Sequence, residues 1–166
     1  MSCRDAYPNP ASAIHNLAQY LADTVIPTRP QGFTFNPRNK LCLPLGRHTN
    51  PDIYVASIAG HELRLPRIPT VQEVIGWLLH RLALLRRQGI YLGFWTYDAE
   101  FYLDLSVLIR GKAAALAFAR ANFQHSIYHP ATDRSLPVDY TVSAAPDLVE
   151  LFNDTQRDKL VEVAFA

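Results

Sequence analysis

Apolar residues first recur at helical spacing over residues 10–24, where Ala11, Ile14, Leu17, Ala18, Leu21 and Ala22 share one side. Pro27 and Pro30 are expected to stop that helix. The period then changes to alternation. Gly32-Phe33-Thr34-Phe35-Asn36-Pro37 sets aromatic against polar positions and ends in turn residues, and Leu41-Cys42-Leu43 returns as a short strand. Gly46 and Asn50-Pro51 mark a loop, Ile53–Ile58 a stronger strand, and residues 62–65 a further extended piece framed by Gly60, Pro66 and Pro69.

The clearest local signal is Pro69-Thr70-Val71-Gln72-Glu73, a capping box in which Thr70 and Glu73 satisfy the free amides of a helix start. Behind it Val71, Val74, Ile75, Leu78, Leu79, Leu82 and Leu85 form a helical stripe, so one helix is expected over 70–88, ended by Gly89. Residues 90–95 and 101–109 read as central strands joined in an antiparallel hairpin by Thr96-Tyr97-Asp98-Ala99-Glu100. Gly111 breaks the chain before an Ala-rich helix, Lys112–Phe123, with Ala115, Leu116, Ala119 and Phe123 on one side. Ser126–Tyr128 and Leu136–Val138 flank a turn and form a second hairpin, and Pro146 opens a C-terminal helix over 145–163. Strands in consecutive pairs predict an α+β fold: a mostly antiparallel sheet of hairpins covered by three to four helices. One domain spans residues 1–166, with an N-terminal helix and Pro-rich linker in 1–30 and the sheet and helix core in 31–140.

Composition narrows the class. A length of 166 residues suits one domain, and 49% hydrophobic against 19% charged residues supplies a core and excludes a disordered chain. Two cysteines, Cys3 and Cys42, exclude a disulfide scaffold and a Cys-rich zinc module. No apolar run approaches the roughly 18 residues of a membrane span, and the start lacks a basic segment followed by an apolar one, so the expected location is cytoplasmic. The net charge is +1. Residues 29–90 nevertheless hold nine basic and three acidic residues, whereas 91–166 hold six and ten. Thirteen of the sixteen cations are Arg, a planar fork suited to phosphate or carboxylate. Arg64, Arg67, Arg81, Arg86 and Arg87 are therefore the candidate anion-facing patch, unless the basic stretch pairs with the acidic half of the same fold.

Candidate chemistry is sparse. His125 and His129 have the H-x3-H spacing of a shared metal site, but their surroundings favour extended backbone, which would hold them roughly 13 Å apart. Asp104 lies in the apolar run Phe101–Val107, on the strand face of Tyr102 and Ser106. An acid in such surroundings is a candidate general base or acid, facing Arg120 or His125. A Ser106–His125–Asp104 triad is conceivable, yet no G-x-S-x-G elbow is present. Neither G-x-G-x-x-G nor G-x-x-x-x-G-K-[ST] occurs, and no cofactor or metal is expected. Tyr91, Phe94, Trp95, Tyr97, Phe101 and Tyr102 would stack single-stranded bases if they faced solvent, and would be sheet core otherwise.

Gly32-Phe33-Thr34-Phe35-Asn36-Pro37, Leu92-Gly93-Phe94-Trp95 and Phe101-Tyr102-Leu103-Asp104-Leu105-Ser106 occur in succession. Ala117-x-x-Arg120-x-x-x-Gln124-x-Ser126-Ile127-Tyr128 follows. Over residues 32–138 this series resembles small uncharacterised proteins of bacteriophages and other bacterial mobile elements. The resemblance implies a context in which small proteins without enzyme motifs bind and inhibit host machinery, including restriction and CRISPR effectors. The leading expectation is a non-enzymatic protein that occupies the surface of another protein or a protein–nucleic acid complex, with homo-oligomerisation left open. The alternatives are a nucleic-acid-binding accessory protein acting through residues 29–90, and a small hydrolase-like enzyme using Asp104 and His125.

Overall fold

Alternation along the strands decides what each face of the sheet does. The computed structural model describes residues 10–141 and places eight strands in them. These are β1 (Gly32–Asn36), β2 (Leu41–Cys42), β3 (Ile53–Ser57), β4 (Leu63–Leu65), β5 (Ile90–Tyr97), β6 (Glu100–Arg110), β7 (Ser126–His129) and β8 (Arg134–Pro137). The order is β2-β1-β5-β6-β3-β7-β8, with β4 also on β6, and every pairing is antiparallel. This is the expected α+β architecture. Long β6 takes β5 along one edge and both β3 and β4 along the other. Between Ser57 and Leu63 the chain leaves that second edge, and the sheet opens beside Asp104.

One face is core. Phe33, Phe35, Tyr54, Ala56, Leu92, Phe94, Leu103, Leu105, Val107 and Ile127 pack against helices α1 (Pro10–Tyr20), α3 (Val71–Leu79) and α5 (Lys112–Ala121). The helices contribute Ile14 and Ala18, Val74, Trp77 and Leu78, and Ala115, Phe118 and Ala119. Burial of side chains this large supplies most of the folding drive.

Three helix boundaries differ from expectation. The first helix runs past residue 24 through a π-helical turn, Leu21–Val25, and a final turn α2 (Ile26–Thr28) that contains Pro27. The register shift leaves the proline in a first turn, where no amide donor is needed. The helix expected over 70–88 breaks after α3 and resumes as the short α4 (Leu82–Leu85). The break falls at Arg81. Its guanidinium donates to the Trp77 carbonyl, the acceptor its own amide would take in a helix, and that amide bonds to Leu78 instead. The third difference is at Phe123, beyond the end of α5, and it shapes the site described below. The helix expected over 145–163 lies outside the described residues. Among those residues no helix is long and apolar enough to cross a membrane.

The capping box forms as read. Glu73 accepts from the Thr70 amide at 2.8 Å and hydroxyl at 2.9 Å, the Glu73 amide donates to the Thr70 hydroxyl, and Arg67 closes on the same carboxylate. Thr70→Ala is expected to lower the unfolding free energy by about 1 kcal/mol in a urea titration. Arg67 first, then the Thr70 donors, pull the Glu73 carboxyl from an ordinary 4.5 to about 2. A folded pKa below the unfolded one adds stability that is complete above pH 4.5 and disappears as pH falls towards 2. Glu73→Gln should therefore flatten the stability curve between those two pH values, and an unchanged slope there would remove Glu73 from the acid response.

Candidate functional site

Residues alternate to the second face in registered rows. Gly32, Trp95, Tyr102 and Arg64 form one row, and Thr34, Gly93 and Asp104 the next. Tyr91, Ser106 and Ser57 form the third, then Leu108, Val55, Tyr128 and Ser135. At the last rows Leu43 closes over Ile53, Val55, Tyr91, Leu108 and Tyr128 in a small apolar cluster. The loop that follows is tied down where the Gly46 amide donates to the Pro130 carbonyl at 2.9 Å. Apart from Tyr91 and Leu108, the residues of these rows line an open cleft of about 900 Å³.

Asp104 stands at its floor, 2% exposed. Its Oδ2 accepts from Ser57 Oγ at 2.6 Å and from Trp95 Nε1 at 2.8 Å, and its Oδ1 accepts from Ser106 Oγ at 2.7 Å. All three donors are neutral, so the charge is solvated but not neutralised. Gly93, opposite Asp104 in the register, makes the space. A Cβ there would lie 2.1 Å from Asp104 Oδ1 and 2.8 Å from Ser106 Oγ. Beside this cradle Trp95 and Tyr102 stack at 4.0 Å and 6°, and the Arg64 guanidinium lies 5.6 Å from the Tyr102 ring centre. Arg64 also pairs with Glu100, which accepts from the Tyr102 hydroxyl at 3.1 Å. Glu62 joins from the segment that leaves the sheet edge. Partial burial, and then the field of Asp104, raise its carboxyl above the ordinary range against the pull of Arg64 and His125.

The candidate enzyme groups do not assemble as a relay. Ser106 donates directly to Asp104, and no hydrogen bond joins His125 to either among the described residues, so the histidine of the imagined triad does not stand between them. His125 lines the cleft, exposed, at the start of the β7 hairpin. Arg120 does not meet Asp104. It donates from Nε to the Asp139 carbonyl at 2.8 Å, outside the cleft. His129 sits apart from His125, stacked on Tyr54 at 4.6 Å with its ring nitrogens on Thr132 and the Pro51 carbonyl.

The five candidate arginines are dispersed in role. Arg64 pairs with Glu100 and Arg67 with Glu73. Arg81 is held against Trp77 and the His61 carbonyl. The Arg86 carbonyl accepts from Arg38 at 2.6 Å. Of the five, including Arg87, only Arg64 lines the cleft. The aromatics divide by face. Phe94 and Phe101 belong to the core cluster and Tyr91 to the small one, while Trp95, Tyr97 and Tyr102 line the cleft.

Sequence spacing places Phe123 on the apolar side of α5; the structure puts it at the cleft rim, 80% exposed. The helix ends in a Schellman motif: the Gln124 amide bonds to the Ala119 carbonyl and the Phe123 amide to that of Arg120. Phe123 holds the left-handed position of that motif, with φ 55°. Glycine is the residue this position favours, because a Cβ is penalised there. Ser57, Glu62, Gly93 and Phe123 are the site residues that sequence reasoning missed. A glycine within the otherwise strand-forming run Tyr91–Trp95 was the available signal for Gly93. No protein-family model, curated protein or solved structure matches the chain.

Proposed function

We propose that this chain is a non-enzymatic binding protein that occupies a partner through the open face of its sheet. One observation carries the reading. Asp104, the buried acid of the cleft, is taken up by Ser57, Ser106 and Trp95, which all donate to it, while the broad cleft keeps aromatic side chains exposed at its rim. Tyr97 is 69% and Phe123 80% exposed. An exposed aromatic in a left-handed position costs stability twice, in conformation and in hydration, which fits a role outside the fold. The resemblance of residues 32–138 to small mobile-element proteins supports a partner in host machinery, such as a restriction or CRISPR complex, and an inhibitory outcome.

The test passes tagged protein through bacterial lysate, with and without nuclease treatment, as the parent chain and as Phe123→Gly, Tyr97→Ala and Arg86→Glu/Arg87→Glu variants. A discrete protein is expected from the parent and the arginine variant, and to be lost from the two rim variants. Retention that survives both rim changes and fails in the arginine variant would move the site to the basic segment. Retention that needs intact nucleic acid would make the protein a nucleic-acid binder.

A further inference from the structure

Resting on that binding reading, we propose that the cleft accepts an arginine side chain presented by a segment of a partner protein. Charge comes first. The cleft is lined by Glu62, Asp98, Glu100, Asp104 and Asp133 against Arg29 and Arg64, so it is acidic in a chain whose net charge is +1. Glu100 already has Arg64. Asp104 and Asp133 meet only neutral donors among the contacts that fix them, Ser57, Ser106 and Trp95 for the first and the Tyr128 hydroxyl for the second. Asp104 is the buried one of the two, and a buried carboxylate without a counter-cation favours any cation brought within reach, because low surrounding polarity strengthens the attraction.

The aromatic row selects the kind of cation. Arg64 lies over Tyr102, and Tyr102 stacks on Trp95, so one end of this ladder already holds a guanidinium. At the other end the residue registered with Trp95 is Gly32, which puts no side chain beside the indole. A Cβ at position 32 would press on the Phe94 carbonyl at 2.8 Å and approach Trp95 Cβ at 3.6 Å. A planar guanidinium suits this arrangement better than a compact ammonium, since it stacks on an aromatic face while forking to a carboxylate. Glu62 lines the cleft with no salt bridge among the described contacts and lies within the field of Asp104, which makes it the carboxylate best placed to share an incoming guanidinium. The exposed rings of Tyr97 and Phe123 favour a protein segment over a free amine, because a small cation would leave them uncovered.

Calorimetric titration with synthetic peptides tests this directly. The probes are a short peptide of alternating glycine and arginine, its lysine and glutamate counterparts, and a single-stranded oligonucleotide of similar length. The arginine peptide is expected to bind about tenfold more tightly than the glutamate peptide and more tightly than the lysine one, and to weaken with added salt. Glu62→Gln and Phe123→Gly, both at exposed positions, are each expected to weaken it by about threefold or more, and Arg86→Ala to leave it unchanged. Equal binding of arginine and glutamate peptides, preference for the oligonucleotide, or no heat at millimolar peptide would each overturn the proposal. So would self-association that Glu62→Gln abolishes, because a second copy would then fill the cleft. If every peptide fails while lysate capture still depends on Phe123, the binding reading stands and only the partner's chemistry falls.

Discussion

A Gly93→Ala protein is expected to lose about 3 kcal/mol of unfolding free energy, a large part of the stability a domain of this size possesses. The added methyl would sit 2.1 Å from Asp104 Oδ1, 2.8 Å from Ser106 Oγ and 3.0 Å from Asp104 Cγ. These atoms are tied by hydrogen bonds to one another and to their neighbours. Asp104 is held by Ser57, Ser106 and Trp95, and the backbone at 93 is fixed between Thr34 of β1 and Asp104 of β6. Relief requires the carboxylate to leave its donors, which strands three polar groups together with the charge. Gly76→Ala is the control. It lies within α3 with nothing within 4 Å of its built Cβ, so replacement is expected to be neutral or to stabilise by up to about 1 kcal/mol. Urea unfolding of both variants decides the matter: a loss below about 1 kcal/mol for Gly93→Ala would mean that the cradle yields and Asp104 is loosely held.

Phe123→Gly should move stability the other way. Removing the left-handed strain at φ 55° is expected to raise the unfolding free energy by about 1 kcal/mol even as partner binding weakens. Opposite signs for stability and binding at one residue are what an exposed recognition side chain produces.

The α+β class, both long hairpins and the capping box were legible because each rests on local rules: period, turn chemistry and side chain to amide bonding. The turn joining β5 to β6 was narrower than the five residues read for it. Asp98 and Ala99 alone make it, at φ 50° and 61°, and alanine there carries none of the signal that glycine would give. The break at Arg81 was hidden because it falls where the Arg81 side chain turns to the His61 carbonyl, twenty residues away in sequence. The apolar stripe through Leu85 gave no hint of that acceptor. Asp104 was visible as an acid in an apolar strand. Ser106, two residues on, was visible on the same strand face; Ser57 and Trp95 were not, because they reach Asp104 only through pairing of β3 and β5 on β6. The arginine patch looked coherent as a count along the chain, and folding spends two of its members on Glu73 and Glu100. Net charge by segment therefore pointed to an anionic partner while the cleft itself is acidic.

Replacing Asp104 separates scaffold from catalyst. Asp104→Ala is expected to cost about 2–4 kcal/mol, because Ser57, Ser106 and the Trp95 indole lose a charged acceptor at once, offset in part by removal of a buried charge. Asp104→Asn should fall between, since its oxygen still accepts while its amide group meets a donor. The double variant Gly93→Ala/Asp104→Ala gives the sharper result. With the carboxylate gone, the methyl at 93 enters the space it occupied, so the two losses should fall short of their sum by about 2 kcal/mol or more. Additive losses would show that the clash at 93 lies with the Ser106 hydroxyl rather than with Asp104. A carboxylate serving catalysis behaves differently: Asp104→Asn would abolish an activity and leave stability alone. The buried, three-donor arrangement makes the opposite outcome the expected one, with stability lost first and binding following only as the floor of the cleft collapses.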